Sequence, residues 1–182
     1  MRPRPPWRLS AAWALLGGLL LGGGGGCGYR VVARPELPGG LERVWVSSPE
    51  YRGSEAEVSR VVGAQLSSAL EAYDRLGAAG GANTGRLQTR VEALRMSPSA
   101  FPGQLGSAAT YVLQLRGRLR LVGADGAALA EVGHSVDESY LAGVGPEETE
   151  ANARRALERA ARRWTEEALA RLFDEAAPLD AP

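Results

Sequence analysis

Between Thr110 and Val122 (TYVLQLRGRLRLV) apolar and polar residues alternate more cleanly than anywhere else in the chain. Tyr111, Leu113, Leu115, Leu119 and Leu121 share one parity, and Gln114, Arg116, Arg118 and Arg120 share the other. Successive side chains of a strand point to opposite faces, so the pattern predicts a half-buried strand with an arginine stripe on its polar side. Asp125-Gly126 follows as a hairpin turn, with a return strand over Ala128–Tyr140. Two earlier stretches also alternate. Arg43–Ser47 places Val44 and Val46 on one side, and Arg86–Met96 places Leu87, Thr89, Val91 and Ala93 together. The second pattern slips at Leu94 and Met96, as a β-bulge would make it. Ser97–Ser107 is rich in Pro, Gly and Ser and predicts a loop.

Two segments change period. From Ser54, the residues Val58, Val61, Val62, Leu66, Ala69, Leu70, Tyr73 and Leu76 recur at three and four, the spacing of one helix face. Ser54 and Glu57 have capping-box spacing, and Gly77 stands where a left-handed helix stop would fall. The second helix is expected over Glu147–Glu175, with Pro146 suited to its first turn. Its apolar line is Ala153, Leu157, Ala161, Trp164, Ala168 and Leu172, widened by Leu169 and Phe173. Glu147, Glu148 and Glu150 lie near its positive end, and Glu158–Arg162 and Glu167–Arg171 have the favourable i,i+4 order of a solvated face.

The order of strand, helix, further strands and helix predicts an α+β fold: a roughly four-stranded, mostly antiparallel sheet with two helices packed on one face. The expected division is a leader over 1–26, an N-terminal segment and turn over 27–40 that includes GYRVVAR and PELPGG, one α+β domain over 41–175, and a short tail over 176–182.

Composition narrows the chemistry. With 21 basic and 21 acidic residues the formal net charge of the 182-residue chain is zero, which disfavours a nucleic-acid partner needing a broad basic surface. All the basic residues are arginine, a bias shared with the Ala, Gly and Pro load, so arginine by itself points to no particular ligand. One cysteine and one histidine, His134, leave no disulfide, no zinc ligand set and poor material for nucleophilic or acid–base catalysis. Neither GxSxG nor HExxH occurs. The chain is expected to be no enzyme and to need no cofactor. His134 reads as a polar strand residue and Trp164 as core.

The cysteine, Cys27, closes an unusual leader. Arg2, Arg4 and Arg8 precede an uncharged apolar run from Leu9 to Leu21, and five glycines lead into Cys27. The run is shorter than the roughly 20 residues of a spanning helix and matches a secretory leader. Small residues running into a cysteine resemble a bacterial lipobox, with Gly24 where leucine is usual. The thiol would then be acylated and the domain held on a membrane by its lipid. Gly28 at the next position resembles the sorting pattern of outer-membrane lipoproteins. An ordinary secretory leader with a stray cysteine is the other reading.

GCGYRV (Gly26–Val31), LPGGLERVWV (Leu37–Val46), the helical stretch Glu55–Leu76, TYVLQLRGRLRLVGADGAAL (Thr110–Leu129) and EANARRALERAARRWTEEALARL (Glu150–Leu172) together resemble the LptE family of lipopolysaccharide-assembly lipoproteins. The resemblance lies in order and spacing over most of the chain after Cys27. Membership would imply a lipidated outer-membrane protein on the periplasmic side that partners the β-barrel LptD and binds lipopolysaccharide through basic residues. An auxiliary periplasmic lipoprotein of a lipid-transporting ABC system is the alternative.

Arg116, Arg118 and Arg120 are the candidate contact. Same-face residues on a strand lie about 7 Å apart, and guanidinium forks suit phosphate groups. Arg86 and Arg90 would join them if the two strands are neighbours. The competing reading is a solvated polar sheet face.

Overall fold

The computed structural model describes residues 36–51, 53, 56–99 and 110–176; the side chains of 175 and 176 are excluded. Cys27, the leader, GYRVVAR, the Ser54 cap and the tail over 177–182 lie outside the described residues. A short 3-10 turn at Pro38–Gly40 precedes β1 (Arg43–Val46), β2 (Glu50–Tyr51), α1 (Ala56–Ala72), β3 (Thr84–Ser99), β4 (Thr110–Val122), β5 (Ala128–Leu141) and α2 (Pro146–Ala176).

The strands form one sheet in the order β1-β3-β4-β5, with β2 also pairing β3. β3, β4 and β5 are antiparallel neighbours, whereas β1 and β2 both run parallel to β3. The α+β expectation of a mostly antiparallel sheet with two helices on one face therefore stands, with the short β1 and β2 added in parallel. The parallel pairing follows from α1, which carries the chain back across the sheet between β1 or β2 and β3, as a crossover must.

β4 supplies the centre of the core. Leu113, Leu115, Leu119 and Leu121 are each at most 1% exposed, and burying each such side chain stabilises the fold by about 1.5–3 kcal/mol. They meet Val58, Val61, Val62, Leu66 and Leu70 of α1 and Leu157, Trp164, Leu169 and Leu172 of α2. The small residues Ala156, Ala160, Ala161 and Ala168 are fully buried, which lets α2 approach its neighbours closely. Tyr73 and Phe173 close one end edge to face, with ring centroids 6.3 Å apart. Trp164 is core, as its helical spacing predicts.

Three boundaries differ from the sequence reading. α1 stops at Ala72, not Leu76, because Asp74 takes the left-handed conformation (φ 53°). The Asp74 N–H donates to the Glu71 carbonyl at 2.9 Å and the Arg75 N–H to the Leu70 carbonyl at 2.8 Å, a Schellman stop. Gly77 instead lies beside β1, where its N–H donates to the Val44 carbonyl at 2.9 Å and a Cβ would come within 2.8 Å of Arg43 Cβ. β3 continues through Ser97, Pro98 and Ser99, a stretch expected to be loop, paired to Val112, Tyr111 and Thr110. Among the described residues β3 has no neighbour on its other side there, and an edge tolerates proline. The bulge is real but falls between Val91 and Ala93, with Glu92 as the extra residue. It turns Leu94 and Met96 to the same side as Leu115 and Leu113.

α2 also closes the free edge of β5. Arg163 donates to the Asp137 carbonyl, Arg159 Nη2 to the Ser139 carbonyl at 3.4 Å, and Asn152 Nδ2 to the Leu141 carbonyl at 2.9 Å. Glu138 anchors the same seam through Arg159 at 2.6 Å and Arg163 at 3.6 Å.

Candidate functional site

Both helices pack on the leucine side of β4, so the opposite side of the sheet has no covering layer among the described residues. Alternation puts Arg116, Arg118 and Arg120 on this open side, opposite Ser135, Gly133 and Glu131 of β5. On β3 the same side carries Arg86, Gln88 and Arg90, with Arg90 directly across from Arg118 and Gln88 across from Arg120. The five arginines thus share one face, as the neighbouring of the two strands required.

Their environments are unequal. Glu92, next after Arg90 on the outward parity of β3, reaches Arg116 Nε at 3.1 Å and Arg118 Nε at 2.6 Å. Arg118 Nη1 also lies 3.6 Å from Glu131. Arg90 and Arg120 make no ion pair among the described residues. Arg86 donates to the Gln88 carbonyl oxygen at 2.8 Å from Nη2 and 3.3 Å from Nε, in the amide orientation that satisfies both groups. Part of the stripe is therefore neutralised within the chain, and part is not. Arg116 and Arg118 thus have a carboxylate partner within the chain. Alternation showed the arginines, and Glu92, two residues after Arg90 on the same parity, stood among them without being singled out.

A groove of about 760 Å³ runs along this face. Arg86, Arg90, Arg118 and Arg120 line it together with Glu50, Glu92 and Glu131, leaving one net positive charge. Ser47 and Ser48, from the turn after β1, form one wall. The Ser47 hydroxyl is fixed by donation to the Leu87 carbonyl at 2.9 Å. Such a groove can hold an anion by charge-assisted hydrogen bonds.

His134 is not on this face. It pairs Gly117 in register on the helix side, where its Nε2 lies 2.6 Å from Glu167 Oε2 and its side chain is 7% exposed. Trp164 Nε1 donates to the His134 carbonyl at 2.9 Å, and a Cβ at Gly117 would come within 3.0 Å of the indole. The histidine is a polar strand residue, as expected, and one that ties sheet to helix. Among the described residues no three His, Cys, Asp or Glu side chains are grouped to hold a metal ion.

No family model matches this chain, and no curated protein matches it in sequence. Solved structures do. A candidate lipoprotein from Caulobacter crescentus CB15 superposes with a TM-score of 0.51 at 20% identity, over 72% of this chain and 92% of that one. The rare lipoprotein B of Shewanella oneidensis gives a TM-score of 0.52 at 12% identity, over 75% of this chain and 99% of that one. At these identities the likeness is one of fold. The same arrangement of mixed sheet and two helices, spanning nearly the whole of each neighbour, is what this chain shares with them.

Proposed function

We propose that the chain is a non-enzymatic bacterial envelope lipoprotein, anchored through Cys27, that works in lipopolysaccharide assembly at the outer membrane as LptE proteins do. Its partners in this reading are an LptD-like β-barrel and lipopolysaccharide. The carrying observation is the open sheet face: two helices bury one side, while the other is left uncovered with a groove lined by guanidiniums. The leader that ends in GGGGGC supports the anchor, and the likeness in fold to structures described as lipoproteins agrees with it.

Two measurements test the reading. The mass of the membrane-extracted protein is expected to show a chain starting at an acylated Cys27, and Cys27→Ala is expected to abolish the lipid increment. Affinity purification from envelopes is expected to recover an outer-membrane β-barrel. Recovery of an inner-membrane ABC transporter in its place would falsify the assembly role.

A further inference from the structure

Glu92 stands among the arginines as an anion of the protein's own. It stands at the bulge, on the same outward parity as Arg86, Gln88 and Arg90, and projects between two guanidiniums of β4. Its two oxygens engage both of them through Nε, the edge from which a guanidinium grips phosphate in two-bonded fashion. Arg116 and Arg118 are thereby occupied. The remaining cations are of another kind. Arg86 and Arg90 flank Gln88 on β3, and Arg120 sits across from Gln88 on β4. Diagonal neighbours of an antiparallel pair are about 7–8 Å apart at the backbone, within reach of one shared phosphate for side chains as long as arginine. Glu50 and Glu131 border this triangle, but neither forms an ion pair with Arg86, Arg90 or Arg120 among the described residues. Beside it lies Trp45. It is at the register position of Arg86 and points to the same side, opposite the buried Val44. An indole beside Arg86, at the end of this triangle, offers apolar surface that a free phosphate cannot use and a lipid headgroup can.

Resting on the reading of the open face as an anion surface, we propose that Arg86, Arg90 and Arg120 form a single subsite for a phosphorylated lipid headgroup, and that Glu92 acts as a built-in competitor limiting the face to that one subsite. The carboxylate keeps Arg116 and Arg118 from drawing in a second phosphate. Glu92 thereby holds affinity down, which suits a protein that must pass its lipid on.

Calorimetric titration of the purified full-length protein at low salt tests this, with dihexanoyl phosphatidic acid as probe, dihexanoyl phosphatidylcholine as the zwitterionic control and inorganic phosphate as the free anion. The phosphatidic acid is expected to bind and the phosphatidylcholine not to. Arg90→Gln and Arg120→Gln are each expected to weaken binding about fivefold, the scale of one exposed ionic contact. Glu92→Gln is expected to tighten it about three- to fivefold on the same scale. Adding Arg116→Gln and Arg118→Gln to Glu92→Gln should return affinity to the parental value, and high salt should erase the gain. Unfolding midpoints within error of the parent confirm that each variant is folded. Unchanged or weaker binding by a folded Glu92→Gln overturns the competitor role while leaving the anion surface standing. Equal affinity for inorganic phosphate overturns the headgroup assignment. Absence of binding by both the parent and Glu92→Gln overturns the anion surface itself, and with it the proposed lipid binding.

Discussion

On the helix side of β4, Leu113, Leu115, Leu119 and Leu121 keep at most 1% of their surface exposed. One residue away along the same strand, Arg116 and Arg118 keep 63% and 53% of their side-chain surface exposed. The same backbone and the same hydrogen-bond ladder serve both faces, so strand geometry does not distinguish them. What differs is the solvent each face meets. On the covered face shape is constrained, because interiors pack as densely as crystals and any missing or added atom is felt. On the open face charge is constrained instead, because water fills any change of shape but does not remove a field. Substitutions should therefore act on stability on one side and on binding on the other.

The largest effects are expected on the covered face. Trp164→Ala removes the biggest fully buried side chain together with its bond to the His134 carbonyl, and should cost about 3–5 kcal/mol in urea unfolding. Leu113→Ala and Leu157→Ala should cost about 2–5 kcal/mol. A Leu113→Ala protein as stable as the parent would break the contrast between the faces at its centre. Gly117→Val sharpens it from the opposite direction. The added carbons collide with the Arg90 carbonyl, 2.9 Å from a Cβ, and with Trp164, for an expected loss of about 1–3 kcal/mol by overpacking.

On the open face the combined change of Arg116, Arg118 and Arg120 to Gln should leave stability within about 0.5 kcal/mol of the parent. It should weaken lipopolysaccharide binding most at low salt, where attraction is least screened, and a matching change of Arg154 and Arg155 on α2 should do less. Equal binding by the triple variant at low ionic strength would show the face to be merely solvated. The smallest effect is expected from Tyr140. Its hydroxyl is raised above its ordinary 10.0 by burial and, second, by the neighbouring Tyr111, whose ring stacks on it at 5.4 Å. A raised phenol binds its proton more tightly when folded, so its contribution is full below pH 10.0 and is lost as pH rises through the folded value. Tyr140→Phe should flatten the fall in stability above that pH, measured by chemical unfolding across the alkaline range.

The contrast between faces was largely legible in the residues. Alternation in β4 separated leucines from arginines correctly. The helical period of α2 singled out Ala153, Leu157, Ala161, Trp164, Ala168 and Leu172, of which Ala153 is partly buried and the other five are buried. What escaped was set by pairing rather than by pattern. Parallel addition of β1 depends on where α1 returns the chain, and periodicity has no sign for direction. The end of α1 was displaced because an aspartate, not the obvious Gly77, adopted the left-handed stop. Pro98 suggested a loop, since a strand's tolerance of proline depends on whether it has a second neighbour. For the candidate site, the cations were singled out and the anion was overlooked: Glu92 shares the parity of Arg86 and Arg90, but only the register of β3 on β4 brings it to Arg116 and Arg118.

The way α2 closes the outer side of β5 has a consequence for how copies of the molecule can meet. Arg163, Arg159 and Asn152 occupy the carbonyls of Asp137, Ser139 and Leu141, so no incoming strand finds free acceptors there. Endless head-to-tail growth of sheets requires every molecule to be receptive at both margins. With Asp137–Leu141 of one margin occupied by side chains of its own helix, strand addition over that stretch is opposed, which works against fibre formation wherever such a protein is concentrated on a surface.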